Sequence, residues 1–212
     1  MVRSAESDAE LVARSRAGDL EAFNELVERW EKRLYNYLLR LMSSRPGFRE
    51  DALDLCQEAF LKAFQSIDAL DDATKFSGWL YRIAHNLAYS EMRRPALMQS
   101  LDAGFDEDGP GDRKGGECIS IRNSAAWSQA SGGSSREMEL AVARALDTLP
   151  EEQREAIVLK VYHGFLFQEI AEIANCPLST VKTRIYAGFA ALRTILGERA
   201  APLPRTLNER AL

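Results

Sequence analysis

Apolar residues in the first part of the chain fall at Phe23, Leu26, Val27, Trp30, Leu34, Tyr37, Leu38 and Leu41. Steps of three and four are the repeat of a helix with one buried face. Gly18-Asp19 just before this stripe reads as a stop followed by an N-cap. A second stripe runs Leu53, Cys56, Phe60, Ala63, Phe64, Ile67, and a third runs Trp79, Leu80, Ile83, Ala84, Leu87, Ala88. Pro95 bounds the third, because the residue before a proline avoids helical geometry. No alternating pattern competes with these stripes. They predict a bundle of three or four helices from about Ala9 to Arg94.

The periodicity stops at Ala96 and resumes only after Ser135. Between them the sequence is rich in Gly, Ser and Asp, and such a stretch cannot bury enough apolar surface to offset the cost of ordering. It predicts a flexible linker, with a coil dimension on the order of 35 Å. Its acids Asp102, Asp106, Glu107, Asp108, Asp112 and Glu117 outnumber its bases Arg113, Lys114 and Arg122. A second helical body follows from Arg136 to about Arg199. It holds a helix ending near Leu149, a helix opened by Pro150 with Glu151 and Glu152 in its first turn, and two more. The expected fold is all-α: an N-terminal bundle (9–95), a flexible acidic linker (96–135), a C-terminal helix-turn-helix body (136–199) and a frayed tail (200–212).

The helix-turn-helix reading rests on Phe167 to Arg193. A first helix carries Ile170, Ala171 and Ile173, with small Ala171 where a crossing helix would approach. A turn at Asn175-Cys176-Pro177 follows, and asparagine tolerates the left-handed backbone such turns need. The second helix places Val181, Ile185, Phe189 and Leu192 inward. At 100° per residue its other side presents Thr180, Thr183, Tyr186, Ala187 and Ala190, flanked by Lys182 and Arg184. Hydroxyls and short cationic reach on the N-terminal half of a helix suit the major groove.

Composition sharpens this reading. Of 212 residues 46% are hydrophobic and 28% charged, and 27 Lys plus Arg against 32 Asp plus Glu leave a formal charge of −5. That excludes a uniformly basic phosphate-neutralising protein, but it permits a local basic patch. Lys182, Arg184 and Arg193, with no acid between Leu178 and Leu196, supply one. No apolar run reaches the roughly 18–20 residues that cross a bilayer, so no membrane insertion is expected. Met1 to Asp19 lacks the apolar region of a secretory signal. Three scattered cysteines, Cys56, Cys118 and Cys176, argue against a disulfide framework and for a cytoplasmic location.

Three stretches together carry a family resemblance. They are AFNELVERWEKRLYNYLLRL with DALDLCQEAFLKAFQSI, then FSGWLYRIAHNLAYSEMRR, then LPEEQREAIVLKVYHGFLFQEIAEIANCPLSTVKTRIYAGFAALR. In this order, around an acidic linker, the chain resembles the bacterial RNA polymerase sigma factors of the sigma-70 family, extracytoplasmic-function (ECF) group. The resemblance implies a protein that binds core RNA polymerase and directs promoter-specific initiation, with promoter DNA as its second partner and an anti-sigma factor as its regulator.

It also implies roles for particular residues. Asp54, Gln57, Glu58, Phe60 and Leu61 match the helix that docks on core polymerase, where a charged face gives steering and register. Lys75, Phe76, Trp79, Arg82, Asn86, Arg93 and Arg94 match the region that opens the −10 element, with the loop Asp71–Thr74 beside it. An unstacked base can be held by aromatic stacking worth about 1–3 kcal/mol, and the cations would take phosphates. Trp79 also lies on the apolar stripe. Thr180, Lys182, Thr183, Arg184 and Tyr186 match the −35-reading helix, where Arg or Lys on guanine is worth about 1–3 kcal/mol per good pair. Ala187 and Phe189 stand where members usually carry further arginines, which predicts a shallower salt dependence.

No nucleotide-binding glycine loop, nucleophile elbow or metal-ligand spacing occurs, so neither enzymatic activity nor a cofactor or metal is expected. His85 and His163 read as isolated helix-face residues, and Glu151, Glu152 and Glu155 as acids at a helix start. Cys56 and Cys176 read as packing residues. The alternative function is an autonomous two-domain helix-turn-helix regulator binding duplex operators as a dimer.

Overall fold

A computed structural model describes residues 6–93 and 133–197, and it is helical, with no strand among the described residues. Of the linker expected over 96–135, residues 96–132 lie outside the described residues, as do Arg94, Pro95, Cys118 and the tail, whereas 133–135 are helical. The first four helices are α1 (Asp8–Arg16), α2 (Leu20–Met42), α3 (Phe48–Gln65) and α4 (Phe76–Arg93). Two single 3₁₀ turns, Ile67–Ala69 and Ala73–Lys75, join α3 to α4. The expected stop and cap before α2 are formed. Gly18 takes φ +91°, open to glycine at little cost, and the Asp19 carboxylate accepts from Glu21 N–H at 3.1 Å and Ala22 N–H at 3.3 Å.

The bundle core is built from Phe23, Leu26, Leu34, Tyr37, Leu38 and Leu41 of α2 against Leu80, Tyr81, Ala84 and Ala88 of α4. Helix α3 departs from the expected stripe. It buries Ala52, Leu55, Cys56, Ala59, Phe60 and Ala63, whereas Leu53 is half-buried and Phe64 exposed. The alanines decide this. They let α3 lie close along its neighbours, and a reading keyed to large side chains passes over them.

The second body comprises α5 (Gly133–Asp147), α6 (Glu151–Ile157), α7 (Phe167–Ile173) and α8 (Leu178–Leu196). Helix α5 begins three residues before the boundary expected at Arg136. Pro150 caps α6 from outside, at φ −51° and ψ 143°, instead of opening it as first helical residue. Helix α6 runs into a π-helical turn, Val158–Tyr162. The wider turn brings Phe165 N–H onto the Leu159 carbonyl at 3.2 Å, starting the descent to α7. Asn175 in the α7–α8 turn has φ +47°, the left-handed conformation anticipated for it.

Helix α8 crosses α6 at Gly188. A Cβ there would stand 2.6 Å from Ile157 Cδ1, so only glycine permits the crossing as built. The two bodies do not stand apart. One continuous apolar cluster includes Leu38, Tyr81 and Ala84 of the bundle and Val158, Leu159, Phe165 and Ile170 of the second body.

Candidate nucleic-acid interface

Helix α8 has the two-sided character a groove reader needs. Val181 and Ile185 are buried against the body, with Phe189 partly so, while Lys182, Thr183 and Tyr186 are exposed. Thr180 is half-buried. Thr183 Oγ1 donates back to the Ser179 carbonyl at 3.0 Å, leaving its oxygen outward as an acceptor. Arg184 is half-buried, its Nη1 3.6 Å from Cys176 Sγ. The expected outer face is therefore present, and Arg184 serves as its anchored flank.

On the bundle, Lys75, Arg82, Asn86 and Arg93 are exposed. Trp79 is half-buried and its ring lies 6.1 Å from that of Phe76. Phe76 is fully buried, and this corrects its assignment as a base contact: it is the first residue of α4 and plugs the core end. The adjoining loop is internally tied. Asp72 accepts from Thr74 N–H at 2.9 Å and Thr74 Oγ1 at 2.6 Å, and those bonds hold its carboxyl below the usual range. Along α3, Asp54, Gln57, Glu58 and Leu61 form an exposed strip, with Glu58 paired to Lys62 at 2.8 Å. Phe60 is 1% exposed, so its place is the core and its assignment to a partner surface is corrected.

A polar seam between the bodies escaped the sequence reading. Glu155 is 1% exposed, not a solvated helix-start acid. Its Oε1 accepts from Tyr37 OH at 2.5 Å and lies 2.7 Å from His85 Nδ1, and its Oε2 accepts from Tyr89 OH at 3.0 Å. Burial, and then the Glu155 charge, push both phenols well above their ordinary pKa, so both remain donors. Arg154, equally buried, reaches Ser44 Oγ at 3.2 Å and Asp147 at 3.8 Å. His163 Nδ1 shares a hydrogen with Tyr81 OH at 2.8 Å, and burial, then Arg40 and Arg33, lower its pKa to about 4. The two histidines are thus joined to partners 70 and 82 residues away in sequence. One signal was legible: Glu155, Val158 and Leu159 fall on one helical stripe, a charge on an apolar face.

Beside the seam, a groove of about 600 Å³ runs between the loop 69–79 and α7, with Lys75, Trp79 and Arg82 on one wall and Glu169 and Glu172 on the other. A second groove of about 530 Å³ holds both Arg82 and Leu178, the first residue of α8.

An all-helical pair of bodies, one carrying a helix with an apolar inner side and a polar, cationic outer side, has the form of a nucleic-acid-binding protein. The Sigma-70 region 2 family matches residues 26–96, and Sigma-70, region 4 matches residues 139–192. The chain is 34% identical over 203 residues to the ECF RNA polymerase sigma-E factor of Escherichia coli (strain K12), covering 94% of this chain and 97% of that one. It is 33% identical to the ECF RNA polymerase sigma factor SigW of Bacillus subtilis (strain 168), covering 83% and 89%. Among solved structures, the sigma factor RpoE of Bartonella quintana in complex with the anti-sigma factor NepR superposes with a TM-score of 0.58 at 26% identity, covering 82% of this chain and 96% of that one. CnrH in complex with the cytosolic domain of CnrY shares the fold, with a TM-score of 0.60 at 22% identity, covering 92% and 100%. The chain belongs to the ECF sigma factors of the sigma-70 family and directs transcription initiation. Membership sets aside the autonomous-regulator alternative, and sigma factors are not enzymes. Among the described residues, no helix is long and apolar enough to cross a membrane.

Proposed function

We propose a division of labour between the two bodies. The exposed α3 strip of Asp54, Gln57, Glu58 and Leu61 docks on core polymerase. Lys75, Arg82, Asn86 and Arg93, with the edge of Trp79, hold the opened −10 strand, and α8 reads the −35 element. Lys182 and Arg184 supply the guanine and phosphate contacts there, while Thr180, Thr183 and Tyr186 contribute polar and stacking contacts. The observation that carries this reading is the two-sidedness of α8, whose Val181 and Ile185 are buried while Lys182, Thr183 and Tyr186 face outward. The work is done in the cytoplasm, where core polymerase is, and the polymerase performs the nucleotidyl transfer. The RpoE–NepR complex supports an anti-sigma partner for this chain as well.

The test mixes the purified chain with core polymerase and a supercoiled promoter library and maps transcription starts. Promoter-specific starts are expected. Lys182→Ala with Arg184→Ala should weaken −35-dependent initiation at least about 30-fold, because two contacts at the low end of about 1 kcal/mol each are lost. Core-polymerase binding should be unchanged, and equal loss of both would refute the division.

A further inference from the structure

A cavity of about 280 Å³ opens where α2 and α4 meet the turn between α6 and α7, and four rings wall it: Trp30, Tyr81, Tyr162 and Phe165. Tyr81 stands edge to face on Phe165, with centroids 4.9 Å apart, and on Trp30 at 6.4 Å. Such walls offer ring faces and edges to a planar guest. The volume is just under the range of about 300–1,000 Å³ that holds drug-sized molecules, so it suits a guest of one ring.

The charges around the cavity favour an anion. Arg33 lines it, with the guanidinium 5.3 Å from the Trp30 ring centre, and Arg40 lies 4.2 Å over the Tyr162 ring. The one carboxylate among the described lining residues, Glu169, already accepts the Leu166 N–H at 2.6 Å. His163, also on the wall, supplies a directed donor. Its Nδ1 lies 2.8 Å from Tyr81 OH, and burial keeps that phenol protonated. A phenol is a stronger donor than a neutral imidazole, so Tyr81 donates to Nδ1 and the ring hydrogen sits on Nε2. Nε2 is buried without a hydrogen-bond partner among the described residues. A donor left in that condition is costly, and an acceptor brought to it recovers the loss.

We propose that this cavity is a binding site for a single-ring aromatic carboxylate: the four rings pack on its ring, Arg33 takes one carboxylate oxygen and His163 Nε2–H the other. Tyr162, 43% exposed, is the side chain that swings to admit the guest to Nε2. Charge-assisted hydrogen bonds to both oxygens select the acid over its amide, and the ring walls select it over an aliphatic acid.

The test titrates the full-length chain with benzoate, benzamide and acetate by isothermal calorimetry. Histidine ring nitrogens are followed in parallel by ¹⁵N NMR, with the His163→Gln spectrum telling His163 from His85. Benzoate should bind with a dissociation constant below about 1 mM, a modest demand on roughly ten non-hydrogen atoms. Benzamide and acetate should each bind at least about tenfold more weakly. Arg33→Gln, at an exposed position that spares the fold, should weaken benzoate at least about tenfold and leave benzamide unchanged. The His163 Nε2–H resonance should move downfield as benzoate saturates, with the tautomer retained. No binding of benzoate would overturn the site. Equal binding of benzamide would overturn the choice of an anion. Benzoate binding that neither Arg33→Gln weakens nor His163 senses would place the guest elsewhere and overturn it too.

Discussion

Gly188→Ala measures how tightly α8 is seated on α6. A Cβ at this position would meet Ile157 Cδ1 at 2.6 Å, Ile157 Cγ1 at 3.4 Å and Gln153 Cβ at 3.5 Å. Ile157 is 2% exposed and packs in a small core with Ala145, Leu146, Leu149 and Leu192, so its methyl has little room to swing. Overpacking of this kind costs about 1–3 kcal/mol. Replacing a glycine inside a helix returns about 1 kcal/mol. The net expectation is a destabilisation of about 1 kcal/mol. Ile157→Val removes Cδ1 and alone costs about 0.5–1.5 kcal/mol. In that background the clash is gone and the propensity gain is uncovered, so Gly188→Ala should reverse sign and stabilise. The assay is a double-mutant cycle from urea unfolding followed by far-UV circular dichroism, with an expected coupling of about 1–3 kcal/mol. A stabilising Gly188→Ala in the wild-type background, or a coupling below about 0.5 kcal/mol, would refute the close crossing of α6 and α8.

Two further outcomes follow from buried titratable groups. His163 is held neutral by burial, with Arg40 and Arg33 adding to the effect, at a pKa of about 4 against 6.5 when exposed. The parted or unfolded state therefore binds the extra proton, and the contribution is complete above about pH 6.5 and lost as pH falls towards 4. Between pH 8 and 5.5 the wild type should lose about 1.4 kcal/mol more stability in urea than His163→Gln, which retains an acceptor for Tyr81. Equal losses would place the sensitivity elsewhere. Cys56 is fully buried, and burial, then Glu31, push its thiol up to about 12. With so little thiolate it should be alkylated by iodoacetamide at pH 8 at least about a hundredfold more slowly than half-buried Cys176, read by peptide mass spectrometry; comparable rates would contradict the packing of α3.

The large apolar residues of α2 and α4 announced their buried faces because a helix repeats every 3.6 residues, and Asp19 and Asn175 announced the cap and turn that their side chains favour. Helix α3 was legible only in part, since its seat depends on alanines that carry weak hydropathy. Phe60 and Phe76 match a family motif but are spent on the core, because a motif records residue identity and not which way a ring faces. For α8, alternation of Val181 and Ile185 with Lys182 and Tyr186 was enough to separate the two sides.

Local spacing and residue type thus determined the helices, their caps and the outer face of α8, because those features depend on neighbours within a turn or two. Only the tertiary structure decided what Glu155, Arg154, His85 and His163 do. The partners of Glu155, His85 and His163 lie 66 to 118 residues away, and a charge becomes a buried hydrogen-bond acceptor only when two bodies close around it. The same holds for Gly188, whose absent side chain has meaning only against Ile157 of another helix.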